Sequence, residues 1–154
     1  MPTLWVEPDD MVSMAGTKLP SSDWMTVEQD RINTFADCTE DHQFIHIDEE
    51  AAAKSPFGGT IAHGFLTLSL LTKLSSENSI GVKGVVMGVN YGIDKLRFLA
   101  PVRAGKRIRA HTEVLSVDRK DANRFLVKTA VTVEIEGEET PALYAEWLGM
   151  QFIA

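Results

Sequence analysis

The chain has 154 residues, 44% hydrophobic and 24% charged, which excludes a disordered or low-complexity protein and fits one domain able to bury its own core. Fifteen Lys and Arg against 22 Asp and Glu leave a net charge of −7, so nucleic acid and anionic membrane are not expected as partners. Cys38 is the only cysteine, no apolar run reaches the roughly 18 residues of a membrane span, and the start MPTLWVEPDDMVSMAG lacks the basic and apolar regions of a secretory signal; a cytoplasmic protein is expected.

No internal repeat, charge block or linker divides the sequence, so residues 1–154 are expected to form a single domain. Residues 1–20 carry Pro2, Pro8, Gly16 and Pro20 and are expected to wrap the surface. Trp24 to Val27 reads as a short strand. Ile32, Phe35 and Ala36 recur at helical spacing behind acidic residues, which predicts a helix over 28–36 that ends near Cys38. Residues 39–59 then read as a long loop with one helical piece at 49–54. Loops of that length inside a compact domain often carry function.

Residues 61–76, IAHGFLTLSLLTKLSS, are apolar on more than one helical face, with Lys73 the only charge. The segment reads as a helix buried in the core. The period changes after it. Residues 84–99 are β-branched and aromatic, with glycines at 84, 88 and 92 that suit a bent strand. In 107–117, Ile108, Ala110, Thr112 and Val114 alternate with Arg107, Arg109, His111 and Glu113. In 124–135, Phe125, Val127, Thr129, Val131, Val133 and Ile135 share one side, and 142–153 reads as a last strand. A run of antiparallel strands over 84–153 behind one apolar helix implies α+β architecture, with a curved sheet wrapped around a central helix: the hotdog arrangement.

Three of the four histidines, His42, His46 and His63, fall in one short window. In the loop, Asp41 and His46 are five residues apart, near enough to place a carboxylate and an imidazole on one small molecule. Histidine exchanges protons near neutral pH, and a carboxylate beside it orients it or shares the proton. The loop leads into Ala62-His63-Gly64-Phe65, where the first amides of a helix can polarise a carbonyl.

The segment FADCTEDHQFIHIDEEAAAKSPFGGTIAHGFLTLSLL resembles the hydratase motif of MaoC-like dehydratases and (R)-specific enoyl-CoA hydratases, and more narrowly the nodulation protein N-like branch. Asp41, His46, Asp48 and Ala62-His63-Gly64 stand in the motif positions, and Leu96 to Val102 resembles a strand and turn of the same family. The likeness runs from about Trp24 onward. It implies hydration of a trans-2-enoyl-CoA to the (R)-3-hydroxyacyl thioester, with acyl-CoA as partner and no metal or redox cofactor. It also implies a hotdog homodimer. By the same resemblance Asp41 and His46 hold the attacking water, and the Gly64 amide polarises the thioester carbonyl. Gln43, His63, Phe65 and Arg97 are the expected substrate contacts. The loop departs from the commoner motif at Glu40, His42, Gln43 and Phe44.

Three rival readings apply to the same residues. Cys38, His42, His46, Asp48 and His63 are potential metal ligands, although no HExxH or CxxC spacing is present. A hotdog thioesterase uses the same fold. A binding module would hold acyl-CoA or acyl carrier protein without turnover. Cys38 is expected to be a small buried hydrophobe. Arg97, Arg103, Lys106, Arg107 and Arg109 are either phosphate contacts or a solvated strand face, and His111 is expected to be exposed.

Overall fold

Period-two alternation becomes the frame on which everything else is hung. In the computed structural model, which describes Pro2 and residues 4–154, the chain opens with β1 (Leu4–Val6), two turns of 3₁₀ helix and β2 (Met25–Thr26). Helices α1 (Gln29–Thr39), α2 (Phe44–Ile47), α3 (Glu49–Ala53), α4 (Gly64–Ser69) and α5 (Leu71–Ser75) follow. Then come β3 (Ile80–Val82), β4 (Val85–Phe98), β5 (Arg107–Asp121), β6 (Arg124–Ile135) and β7 (Leu143–Ile153). The main sheet has the order β2-β5-β6-β7-β4 and is antiparallel throughout. No described helix is long and apolar enough to cross a membrane.

The alternation settles register. Ala110 pairs with Val133, which pairs with Leu143, and Thr112 pairs with Val131, which pairs with Ala145. Whole rows of buried side chains therefore share the concave face, since a slip of one residue would turn them all to water. Register shifts at Val114/Ser116 in β5 and at three places along β4 accompany the curl of the sheet. Leu66, Leu70, Leu71 and Leu74 fill the concavity against Ala110, Val131, Val133, Leu143 and Ala145.

The structure changes four of the expected boundaries. The helix expected over 61–76 begins at Gly64, because Ile61 and Ala62 bond to the approach to β5 instead: Ala62 N–H donates to Val102 C=O at 2.7 Å and Ile61 bridges Arg103. The helix also bends at Leu70, yet the Leu70-to-Leu66 and Leu74-to-Leu70 hydrogen bonds keep α4 and α5 one rod. It is not covered all round within one chain: Gly64, Phe65, Ser69, Thr72 and Lys73 remain exposed. In the segment read as one strand from 84, Gly84 at φ +84° is a turn between β3 and β4, a conformation that suits glycine. In the loop over 39–59, α2 is a helical turn additional to the expected piece.

Residues 1–20 do more than wrap. Met11 is fully buried and packs with Val6, Val114, Val117, Phe125 and Val127 in a second apolar cluster. Meanwhile β1 pairs in parallel with β3. The edge strand β4 of the main sheet carries Val86, Met87, Val89, Tyr91 and Ile93 exposed.

Leu143→Ala removes a side chain with no exposed surface from the middle of a buried row and is expected to cost about 2–5 kcal/mol. Arg107→Ala, which breaks an exposed pair with Glu136, should cost no more than about 1 kcal/mol. Urea unfolding of the two variants measures the contrast.

Candidate active site

Helix α1 ends at Glu40, whose φ of +60° is the only positive value at a non-glycine position among the described residues. That left-handed residue turns the chain back, so Asp41 opens the loop beside the helix end. Its carboxylate accepts from Gln43 N–H at 3.3 Å, an Asx turn. Asp48 closes the stretch by accepting from Ala51 N–H at 2.9 Å, which caps α3 and commits that carboxylate to structure.

His46 lies in the last turn of α2 and is buried. Its Nδ1–H donates to Ile61 C=O at 2.7 Å, while Ile61 N–H donates back to Ile45 C=O at 3.0 Å. The strap fixes the tautomer: with the proton on Nδ1, Nε2 carries the lone pair. Burial lowers the His46 pKa. The Ile61 hydrogen bond opposes that shift, His63 adds to it and Asp41 opposes it. The result is a neutral imidazole at pH 7 with a basic Nε2.

Gln29, which no sequence signal singled out, braces the same strap from α1. Its Nε2 donates to His46 C=O at 2.7 Å, and its Oε1 accepts from Thr60 Oγ1 at 2.5 Å. One amide thus joins both sides of the loop to α1.

His63 is buried at 3% exposure at the N-cap of α4. Its Nε2–H donates to Asp41 C=O at 3.0 Å. The ring stacks on His46 with centroids 3.8 Å apart and 22° between planes, and Phe35 flanks it at 4.9 Å. Asp41, His46 and His63 each bring one ligating atom within 4.8 Å of the others. A metal lies in the plane of each imidazole that binds it, about 2.0–2.1 Å from the nitrogen for zinc; two near-parallel rings 3.8 Å apart do not share such a point. Of the other potential ligands, His42 pairs with Asp37 at 2.9 Å on the surface. Cys38 is exposed rather than buried, because it sits roughly 200° round α1 from the buried Ala36.

Gly64 follows directly as the first residue of α4, and its amide has no acceptor among the described residues. A Cβ there would lie 3.1 Å from the Phe98 ring, so a side chain at this position would require that half-exposed ring to shift by a few tenths of an ångström. Phe65 is 66% exposed and meets Phe98 edge-on at 5.9 Å. Gln43 contributes its backbone N–H to Asp41. Arg97 points its guanidinium at the Leu96 carbonyl, with no contact to the dyad. Arg107 and Arg109 are held by Glu136 and Glu134 and lie over Trp24, and His111 shares Glu134. These three form a strand face of paired charges.

Open space runs from this corner along the helix. A cleft of about 330 Å³ is lined by Ile61, Gly64, Thr67, Phe98 and Pro101. A second, of about 340 Å³, lies between Leu68, Thr72, Tyr91 and Trp147. A third, of about 300 Å³ and mostly apolar, is bounded by Ser75, Gly88, Thr129, Trp147 and Gly149.

Gln29→Ala leaves the buried Thr60 hydroxyl and the His46 carbonyl without that partner. The loss expected in urea unfolding is about 1–3 kcal/mol.

Comparison with known proteins agrees with this geometry. The MaoC like domain family profile matches residues 10–137. Nodulation protein N of Rhizobium leguminosarum bv. viciae is 47% identical over 140 residues, 90% of this chain and 87% of that protein. The 3-hydroxyacyl-thioester dehydratase Z of Mycobacterium tuberculosis (strain ATCC 25618 / H37Rv) is 47% identical over 137 residues, 89% of this chain and 90% of that protein. The structure of the R-hydratase PhaJ1 from Pseudomonas aeruginosa in the unliganded form superposes with a TM-score of 0.72 at 25% identity, covering 91% of this chain and 83% of that one. The chain belongs to the MaoC-like domain family.

Proposed function

We propose that the protein is a hydratase/dehydratase that interconverts a trans-2-enoyl-CoA and the (R)-3-hydroxyacyl-CoA. The observation that carries this reading is His46: buried, neutral, with Nδ1 committed to Ile61, Nε2 left as a base, and a ring nitrogen within 4.8 Å of the Asp41 carboxylate. The dehydratase name of a relative 47% identical over nearly the whole chain supports it.

Hydration then proceeds through one water held by Asp41 and His46. Its oxygen bonds to Cβ as a proton passes into the dyad, the C=C π electrons move toward the carbonyl, and Cα takes a proton on the same face. Charge building on the thioester oxygen meets the Gly64 amide at the start of the helix rod. No electrons leave the substrate, so no redox cofactor is needed, and the near-parallel imidazoles do not converge on one metal position. The clefts along α4 and α5 suit an apolar acyl tail. In this reading the exposed Phe65 and Gln43 would contact the passing thioester and pantetheine, and the exposed Arg97 would offer a cation to a CoA phosphate. A cytoplasmic setting accords with acyl-CoA as substrate and with an exposed free thiol.

The working unit in this reading is a homodimer joined along β4. A 14-residue edge strand bearing Val86, Met87, Val89, Tyr91 and Ile93 on its exposed surface is the kind of edge that unpaired proteins blunt. Edge-to-edge pairing about a two-fold axis would continue the sheet and cover the open side of the helix rod. Val89→Lys with Tyr91→Lys should convert a dimer into a monomer by light scattering; a wild-type chain that is monomeric at micromolar concentration sinks the assignment.

Loss of enoyl absorbance over a chain-length series of trans-2-enoyl-CoAs tests the activity. Asp41→Asn and His46→Ala should each lower kcat/KM by about 10²–10⁴-fold. Release of free thiol without hydration would instead make the protein a thioesterase. Because His46 must be neutral to accept a proton and its pKa lies below the usual 6.5, the fall of kcat/KM on acidification, as Nε2 becomes protonated, should have its midpoint below pH 6.5.

A further inference from the structure

The backbone at His63 is anchored from both directions. On one side Ala62 N–H is bonded to Val102 C=O. On the other, His63 C=O accepts from Leu66 N–H at 3.0 Å and Thr67 N–H at 3.2 Å. Its ring is a rigid projection from the junction of sheet and helix, wedged between Phe35 and His46. Asp41, by contrast, sits in a loop just after a left-handed residue, with a half-exposed side chain whose carboxylate meets only Gln43 N–H at 3.3 Å and His63 Nε2 at 3.9 Å among the described residues. The hydrogen bond from His63 Nε2 to Asp41 C=O ties this loop to the anchored ring.

The ring is also expensive to keep. With Nε2–H donating, Nδ1 carries a lone pair, and that atom is buried without a hydrogen-bond partner among the described residues. A phenylalanine of similar shape would fill the space without an orphan acceptor, and leaving a buried polar atom unpaired destabilises a fold. Packing therefore does not explain an imidazole here; the Nε2–H does.

We propose that His63 is a positioning residue that clamps the dyad, holding Asp41 through its backbone carbonyl and His46 by ring stacking, and does not itself contact the substrate. This moves His63 from the substrate contacts to the support of the catalytic pair. It rests on the hydratase reading only for its kinetic consequence. The clamp itself is a property of the free protein.

His63→Phe keeps the ring and the stack but removes the donor, while His63→Gln keeps a donor at similar reach but removes the ring. In His63→Phe, kcat is expected to fall about tenfold or more with KM within about twofold, since small misplacements of catalytic groups carry large rate penalties. Its Tm should be equal to or above that of the wild type, because the orphan acceptor is gone. His63→Gln should recover a large part of kcat. Hydrogen exchange at the Gln43 and His46 amides, which are bonded within the loop, should quicken in His63→Phe and return toward wild type in His63→Gln. A rise in KM with kcat unchanged would make His63 a substrate contact and overturn the clamp. So would wild-type kcat and exchange in His63→Phe, or a drop in Tm that parallels the loss of activity. Were the wild-type protein to hydrate no enoyl-CoA, the hydratase reading would fail, and the exchange comparison would still decide the clamp.

Discussion

The reciprocal strap between residues 45–46 and Ile61 is the constraint on which the rest of the site depends. One carbonyl fixes the tautomer of His46 and one amide fixes the position of α2. Ile61 is in turn held next to Val102 and Arg103, which belong to the approach to β5. The orientation of the imidazole is therefore set by the sheet, through a short extended stretch that would otherwise have continued the helix. Ending the helix at Gly64 frees Ile61 to act as a strand partner and leaves the first amide of the rod unsatisfied beside the dyad.

Neighbouring elements serve the same end. Gln29 connects α1 to both sides of the strap, and Phe35 backs His63. The site is thus carried by packed structure although its residues lie in a loop. Burial around His46 favours the neutral ring over the charged one, so one packing arrangement both orients the base and keeps it unprotonated. The exposed apolar strand β4 and the open side of α4 and α5 meet along one cleft.

Much of this was legible in the residues. Alternation over 107–117 and 124–135 identified the inward rows, of which only Thr129 is half-exposed in the structure. The Asp41 and His46 spacing, followed by Ala62-His63-Gly64, marked the corner where the site lies. The helix boundary at 61, the extra turn at 44–47, β3 and the surface position of Cys38 were not legible. Each turns on which backbone group finds which partner. Ile61 and Ala62 have helical composition, but Ile61 N–H and C=O and Ala62 N–H find partners across the chain first. The separation of Met11 from Phe125, and of Gln29 from Thr60, leaves no local pattern for a periodicity argument to detect.

The sequence by itself determined the class of architecture, the sheet's two faces and the candidate proton-transfer pair, because hydrophobic period and residue chemistry are local properties. Only the tertiary structure decided which nitrogen of His46 is free, what the His63 ring contacts and what a side chain at position 64 would meet. Those answers depend on contacts between residues 15 to 34 positions apart, Ile61 with His46, Asp41 with His63 and Phe98 with Gly64. Hydrogen-bond direction and steric room at such contacts come into being when the chain is folded, and no one-dimensional pattern encodes them.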